Sequence, residues 1–311
     1  MNKSEVDLTC ELAGVRMRNP LVLASGVLGT SAALLERVGQ CGAGGVSAKS
    51  CGPEARAGHP NPIAVAWAGG VVNAVGLTNP GLEAEIPALI ETRKRLHAQG
   101  IPLIASIFAP TVEEFGRMTE GINAAEPDLI EVNISCPNVG DEFGTPFSGS
   151  VESAAAVTQA VRANTAIPIA IKLSPNVPNI ARIALAAQDA GANAITAINT
   201  VPGMLIDPYA GRPVLSNQVG GVSGWSIKPI ALRCVAEICK TVTIPVIGLG
   251  GVSRGLDAAE MIMAGATAVG VGSAVWQRGV DVFAVITEEL REFMAGEGYP
   301  DLESMRGMAI R

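Results

Sequence analysis

Histidine, aromatic residues and long apolar runs are scarce in this sequence. His59 and His97 are the only histidines among 311 residues, and Phe, Trp and Tyr together make up 4%. With so little histidine, a Ser-His-Asp or Cys-His mechanism is hard to assemble. Mean hydropathy is +0.35, yet Gly, Pro or a charged residue interrupts every apolar stretch before the roughly 18 residues that a membrane helix needs. A membrane-spanning protein is therefore not expected.

Cysteine lacks the spacing that builds cross-linked or metal-bound structures. The six cysteines are Cys10, Cys41, Cys51, Cys136, Cys234 and Cys239. None belongs to a CxxC pair, and only two histidines could join them around a metal ion. Neither a disulfide framework nor a zinc or iron-sulfur site is therefore predicted.

Positive charge is also in deficit. The sequence has 22 Lys and Arg against 29 Asp and Glu, a net charge of -7. Binding to a phosphate backbone needs a basic surface that releases counterions, so a nucleic-acid partner is not expected. Residues 1–12 lack the apolar segment of a signal peptide, and a cytoplasmic location is expected.

Apolar or β-branched runs alternate with helical stretches along the whole chain. Near-continuous apolar character is typical of strands covered on both faces, as in parallel sheets. The eight strand candidates are residues 21–25, 45–50, 102–108, 129–135, 168–174, 194–200, 245–251 and 268–274. This pattern predicts a (β/α)8 TIM barrel formed as one domain by residues 1–311, with a doubly wound open sheet as the alternative.

Three connecting segments add to this plan. Residues 51–82 and 201–227 form long connections on the carboxyl side of strands, where barrel enzymes keep their active sites. The opening residues 6–20 show weak alternation, which indicates a small hairpin that closes the opposite end of the barrel.

Polar residues recur at or near the ends of the apolar strands. They are Ser25, Lys49, Ser106, Asn133, Lys172, Asn199 and Thr200. Any one of them could be a structural group with its hydrogen bonds satisfied. Because the strand ends of a barrel converge on one mouth, seven such residues predict a shared site.

Glycines follow the last two predicted strands. Residues 248–251 read GLGG and residues 269–273 read VGVGS, which leaves backbone N–H groups unobstructed where barrels commonly bind phosphate. Tight packing of strand against helix is the alternative explanation, since glycine permits that as well. A phosphate-bearing cofactor such as FMN fits this end of the barrel.

Two lysines and one cysteine have unusual settings for their types. Lys49 and Lys172 lie among strand residues, and a buried lysine with no acidic neighbour is costly, so a bound anion or electron-rich ring would account for each. Cys136 precedes Pro137 just beyond a strand, where a side chain can face a ligand. Its thiol is the best-placed proton acceptor in a chain with two histidines.

The sequence resembles the dihydroorotate dehydrogenases over nearly its whole length. The segments that carry the resemblance are ASG at 24–26, AKS at 48–50, NAVGLTNPG at 73–81, NISCPN at 133–138, KLSPNV at 172–177, INT at 198–200, GGVSGWSIKPIALR at 220–233, GLGGV at 248–252 and VGS at 271–273. Each alone is weak, but their order and spacing are specific to that family.

The resemblance implies an FMN-dependent enzyme that oxidises dihydroorotate to orotate in pyrimidine (UMP) biosynthesis. The implied FMN contacts are Ser25, Lys49, Ser50, Asn133, Lys172, Ile198, Gly224, Gly250, Gly251, Gly272 and Ser273. The implied substrate contacts are Lys49, Asn73, Ala74, Val75, Gly76, Leu77, Asn133, Asn199 and Thr200. Ser106 replaces an asparagine found in many relatives and is expected near the flavin.

The implied chemistry begins with Cys136 as the family's catalytic base. It would remove the proton from carbon 5 of dihydroorotate while hydride leaves carbon 6 for the flavin. Lys49 would pair with the substrate carboxylate, and amides of Asn73, Asn133 and Asn199 would bind the pyrimidine edge. Closure of the loop 138–149 would exclude water.

The segments 198–207 and 218–224 look more like the NAD-linked subclass than the fumarate-using one. That subclass implies a partner subunit carrying FAD and a [2Fe-2S] cluster, in a heterotetramer built on a homodimer of this chain. No Rossmann fingerprint or cysteine cluster in this sequence replaces that subunit. The alternatives are a fumarate-using enzyme, a flavoenzyme like dihydropyrimidine dehydrogenase, and a non-catalytic barrel that binds a phosphate ligand.

Overall fold

A closed parallel barrel forms the body of the protein. The computed structural model describes residues 2–29, 31–135 and 147–311. Within these ranges, eight strands pair in chain order, and pairing of Val269 with Leu21 joins the eighth strand to the first. The barrel strands are Leu21–Leu23, Gly45–Ser47, Leu103–Ile107, Leu129–Asn133, Ile169–Leu173, Ala194–Ala197, Val246–Leu249 and Ala268–Val271. The predicted TIM barrel is confirmed, and the open sheet is wrong because no barrel edge is left unpaired.

The helices that surround the barrel bury one apolar face each. In the helix Val112–Ile122, for example, Phe115, Met118 and Ile122 are buried at the helical spacing of three and four residues. Burying each such side chain contributes about 1.5–3 kcal/mol. The described helices are Ala32–Gln40, Leu82–His97, Val112–Ile122, Val151–Ala163, Ile180–Asp189, Lys228–Cys239, Gly255–Met263, Ala274–Arg278, Val282–Glu297 and Leu302–Met305.

The barrel strands end one to three residues before the predicted ends. At seven of the eight strands, the residues beyond the observed end include a polar residue or a glycine. Gly26, Gly250 and Gly251 have φ values of 90°, 136° and 77°, in the region that favours glycine. These turns at the carboxyl ends of the strands border the site described below.

The two long connections contain strands that pair with each other. Strands Val201–Gly203, Gly220–Ser223, Gly70–Asn73 and Ala64–Trp67 form, in that order, an antiparallel sheet, which we call the side sheet. Gly221 pairs with Asn73 on one side and with Pro202 on the other. The prediction of two loops was thus incomplete, because pairing between segments about 150 residues apart leaves no local signal.

An N-terminal hairpin covers the other end of the barrel, as predicted. Strands Cys10–Leu12 and Val15–Met17 pair across Ala13 and Gly14, whose φ values of 51° and 85° suit a two-residue hairpin turn. The hairpin turn borders a cleft with Pro102 and Pro168, which precede the third and fifth barrel strands.

No helix in the described ranges is both long and apolar enough to cross a membrane.

Candidate active site

A cavity lies at the carboxyl ends of the barrel strands and brings most of the predicted site residues together. Loops after several barrel strands and one face of the side sheet contribute to its wall. The predicted residues that line it are Ser25, Lys49, Ser50, Asn73, Val75, Gly76, Leu77, Asn133, Lys172, Ile198, Asn199, Thr200, Gly224, Gly250, Gly251, Gly272 and Ser273.

Two predicted residues, Ser106 and Ala74, are not part of this lining. Ser106 is buried behind it and shares a 2.8 Å hydrogen bond with the Ser50 hydroxyl. Ala74 is buried beside Val72, and its carbonyl lies 3.1 Å from Nδ1 of His59. Cys136, together with residues 138–146 of the predicted closing loop 138–149, lies outside the described residues.

A buried carboxylate that the sequence reasoning missed lies beside Lys172. Glu131 is 3% exposed, and its Oε1 lies 3.3 Å from Nζ of Lys172. Lys172 also donates to the Ser25 hydroxyl at 2.8 Å, and Ser25 donates in turn to Oε1 of Glu131 at 2.6 Å. The expectation that Lys172 has no acidic neighbour is therefore wrong. Glu131 precedes Asn133 by two residues on one strand, so both side chains share a face, and this spacing could have revealed it.

The Asn133 and Asn199 amides are held by a second group of hydrogen bonds. Oδ1 of Asn133 accepts from the Ser135 hydroxyl at 3.0 Å, and Nδ2 of Asn133 donates to Ser50 at 3.4 Å. Asn199 donates to the same Ser135 hydroxyl at 2.9 Å, and its Oδ1 accepts from the Thr200 N–H at 2.8 Å. These contacts fix both amides at the cavity wall before any ligand arrives.

A second buried carboxyl group lies near Lys49. Glu85 is 1% exposed, and within the described part of the chain neither of its carboxyl oxygens has a hydrogen-bond partner. Burial raises the pKa of Glu85 to about 7, while the positive charge of Lys49 works against that rise. Near neutral pH this group therefore exists partly as the uncharged acid. The sequence reasoning did not single it out, because Glu85 lies in an ordinary first helical turn.

The glycines after the last two barrel strands are glycine for different structural reasons. A Cβ on Gly250 would lie 2.7 Å from Cβ of Ala231, and one on Gly251 would lie 2.7 Å from Cβ of Lys228. Tight packing against the preceding helix, Lys228–Cys239, together with the positive φ values of both residues, therefore accounts for these two glycines. Gly272 is different, because its nearest neighbours would lie at an ordinary 3.6 Å or more. Packing does not require glycine there, and the absent side chain leaves the backbone open to the cavity.

The side sheet positions one wall of the cavity. Asn73 donates to the Gly221 carbonyl at 3.3 Å, which holds the start of the segment 73–77. Gly76 and Leu77 then turn the chain with φ values of 78° and 58°. A left-handed leucine costs about 1–2 kcal/mol, so the surrounding contacts must hold this turn. On the barrel side, Ile198 follows a cis peptide bond from Ala197 and lines the cavity.

The cysteines within the described ranges do not contribute to the cavity lining. Burial raises the thiol pKa of Cys10, Cys51 and Cys239 to about 12, and it also raises that of Cys41 and Cys234. These five thiols are therefore poor proton acceptors at neutral pH.

A cavity at the carboxyl ends of a (β/α)8 barrel, lined by a few lysine, asparagine and serine side chains among apolar ones, is the arrangement of a barrel enzyme. A family model described as "Dihydroorotate dehydrogenase" matches residues 7–294. The chain belongs to the dihydroorotate dehydrogenase family, which confirms the family expected from the sequence.

Close relatives share one name. A protein of Methanosarcina mazei is 44% identical over 299 residues, which cover 96% of this chain and 94% of the relative. A protein of Pyrococcus horikoshii is 42% identical over 304 residues, 98% of each chain. Both are named "Dihydroorotate dehydrogenase B (NAD(+)), catalytic subunit".

Proposed function

We propose that this protein is the FMN-carrying catalytic subunit of an NAD-linked dihydroorotate dehydrogenase, and that residues 1–311 form a single FMN-binding barrel domain. It oxidises dihydroorotate to orotate in pyrimidine biosynthesis. The observation that carries the proposal is the convergence of Lys49, Asn133, Lys172 and Asn199 on one barrel cavity, in a chain similar over its length to proteins with that name.

The cavity wall fits FMN. The open backbone at Gly272 and the neighbouring Ser273 follow the eighth barrel strand, where barrels commonly bind a phosphate group. The residues that would hold the cofactor are Ser25, Lys49, Ser50, Asn133, Lys172, Ile198, Gly224, Gly250, Gly251, Gly272 and Ser273. Ser106 supports them from behind through Ser50. When bound, FMN supplies the hydride acceptor.

The substrate pocket would use the segment 73–77, which contributes Asn73, Ala74, Val75, Gly76 and Leu77, together with Lys49, Asn133, Asn199 and Thr200. Lys49 supplies positive charge for the substrate carboxylate. The fixed amides of Asn133 and Asn199 offer both donors and acceptors to the edge of a pyrimidine. For Ala74 only backbone atoms are suited to such a role, because its side chain packs beside Val72.

Cys136 would remove the proton from carbon 5 of the substrate. Support comes from the residues on either side of the undescribed segment. Ser135, the residue before Cys136, is hydrogen-bonded to both Asn133 and Asn199 of the cavity wall. The Ser148 N–H donates to the Ile134 carbonyl at 3.0 Å, so the described residues on either side of residues 136–146 lie close together beside Asn133. The amide donors nearby would stabilise the developing oxyanion.

The electrons would leave through a partner subunit that carries FAD and a [2Fe-2S] cluster, in a heterotetramer built on a homodimer of this chain. The words "catalytic subunit" and "NAD(+)" in the names of the relatives support this arrangement.

Anaerobic reduction of the purified protein tests the proposed function. We expect a yellow protein whose flavin absorbance is bleached by dihydroorotate and not by dihydrouracil. Bleaching by dihydrouracil would instead indicate an enzyme like dihydropyrimidine dehydrogenase. A colourless protein that takes up no FMN would overturn the proposal in favour of a non-catalytic barrel.

A further inference from the structure

We propose that Glu131 is a positioning residue for the proposed reaction: its carboxylate is the built-in counter-charge of Lys172 and limits the positive charge that the cavity presents to the flavin. The inference rests on the proposed function, because it assigns Lys172 a place beside the cofactor. It concerns a residue that does not itself line the cavity.

Glu131 is the centre of a small buried network. Its Oε1 accepts from Ser25 at 2.6 Å, from Lys172 at 3.3 Å and from Ser106 at 3.3 Å. Glu131 is 3% exposed and Lys172 is 4% exposed. Two charges so far from water are stable only when they are paired and hydrogen-bonded, because desolvation costs several kcal/mol for each ion. The protein therefore compensates Lys172 without help from a ligand.

Strand register explains why these groups meet. Ser106 and Glu131 are paired residues on the third and fourth barrel strands. Asn133 is paired with Lys172 on the next strand, two residues along from Glu131. Side chains two residues apart on a strand share a face, so all four side chains lie on the same face of the barrel wall. A carboxylate at position 131 is thus placed directly behind the cavity-lining residues.

Only part of this hydrogen-bond network faces the cavity. Ser25 and Lys172 line the cavity, whereas Glu131 and Ser106 lie behind them. Glu131 can therefore act on a ligand through the position and the field of Lys172. Reduction of a flavin adds negative charge, which a nearby cation favours and a nearby carboxylate opposes. Removing the charge of Glu131 should make the bound flavin easier to reduce.

Substitution of the two charges, one at a time and together, tests this inference. The variants are Glu131→Gln, Lys172→Gln and the double variant. The measurements are the midpoint potential of bound FMN and the thermal unfolding temperature of the flavin-free protein. We expect Glu131→Gln to shift the potential positive and Lys172→Gln to shift it negative. The double variant should return close to wild type, since its net charge is the same.

Asp257→Asn is the matched control. Asp257 is a largely buried carboxylate 2.7 Å from Nζ of Lys228, and neither residue lines the cavity. Its loss should lower the unfolding temperature and leave the flavin potential unchanged. If Glu131→Gln behaves in the same way, Glu131 is merely structural and the inference is overturned.

These experiments distinguish a failure of the Glu131 inference from a failure of the proposed function. If the protein oxidises dihydroorotate but Glu131→Gln leaves the midpoint potential of its flavin unchanged, this inference alone is overturned. A wild-type protein that binds no flavin would overturn both. If Glu131→Gln does not fold, the double variant is compared with Lys172→Gln. The double variant must then show the more positive potential, and equal potentials would overturn the inference.

Discussion

Neighbouring residues hold individual side chains of the cavity in place through hydrogen bonds. Lys172 is held by Glu131 and Ser25, and the Asn133 amide is held by Ser135. Such hydrogen bonds remove rotameric freedom before a ligand binds, so less entropy is lost on binding. The same preparation would apply to the charge that develops during proton removal.

Cys136→Ala should separate cofactor binding from proton removal. The substitution deletes the proposed base and leaves the cavity-lining residues in place, so FMN content should match wild type. General-base catalysis contributes roughly 10²–10⁴-fold, and we expect kcat at pH 7 to fall by about that factor. The check is flavin reduction by dihydroorotate in a stopped-flow instrument. Rates equal to wild type would remove Cys136 from the mechanism.

Glu85 should make stability depend on pH. Burial raises its pKa from 4.5 to about 7, so the folded protein holds a proton that the unfolded chain releases. The protein therefore loses stability as pH rises from 4.5 to 7, by up to about 3 kcal/mol. Glu85→Gln removes this loss. Its advantage over wild type should be larger at pH 8 than at pH 4.5.

Urea unfolding at the two pH values measures that difference. Glu83→Gln is the control, because Glu83 is exposed in the same helical turn. An advantage of Glu85→Gln that is equal at both pH values would contradict a buried, proton-holding carboxyl group.

Much of the residue pattern was predictable, because polar residues at the ends of apolar strands must converge when the strands close into a barrel. The expectation that Lys172 has no acidic neighbour was wrong for a physical reason. The sequence shows which residues share a strand face, but the partner of a charge is fixed by the register between strands. Glu131 contacts Lys172 directly from the neighbouring strand. Ser25, which is hydrogen-bonded to both, lies 106 residues before Glu131 in the sequence.

At the scale of elements, the barrel supplies one part of the cavity and the side sheet supplies another. The barrel strands were predictable because buried parallel strands carry a continuous apolar signature. The side sheet was not, because its strands are short and three of them carry glycine. Its pairing depends on contacts between distant segments, which a local pattern cannot report.

Gly221→Ala tests the role of the side sheet. A Cβ at this position would lie 2.1 Å from Oγ1 of Thr200, so Thr200 must move. We expect FMN to stay bound and the Kd for orotate to rise by roughly 10- to 150-fold, because one lost hydrogen bond to a charged ligand is worth about 1.5–3 kcal/mol. Orotate titration followed by flavin absorbance gives the Kd.

Gly296→Ala is the matched control for that experiment. Gly296 lies in the helix Val282–Glu297, and a Cβ there would meet nothing within 4 Å. It should leave the Kd for orotate unchanged. An equally unchanged Kd in Gly221→Ala would show that Thr200 does not depend on the side sheet for its position.

At the scale of the whole molecule, the two ends of the barrel differ, because a hairpin covers one and the cavity lies at the other. The hairpin Cys10–Leu12 and Val15–Met17 covers the amino ends of the barrel strands, while the cavity opens at their carboxyl ends. In the proposed assembly, a second protein binds the chain and carries electrons from the bound flavin to NAD.

Reconstitution tests that assembly. The chain alone should be reduced by dihydroorotate yet should not reduce NAD, because its sequence has no Rossmann fingerprint for a dinucleotide. Adding a subunit that carries FAD and a [2Fe-2S] cluster should restore NADH formation, measured at 340 nm, and sedimentation should show two copies of each chain. Fumarate is the discriminating alternative acceptor. If the chain alone turns over with fumarate at the rate of the reconstituted complex with NAD, the second subunit is unnecessary and the NAD-linked assignment is wrong.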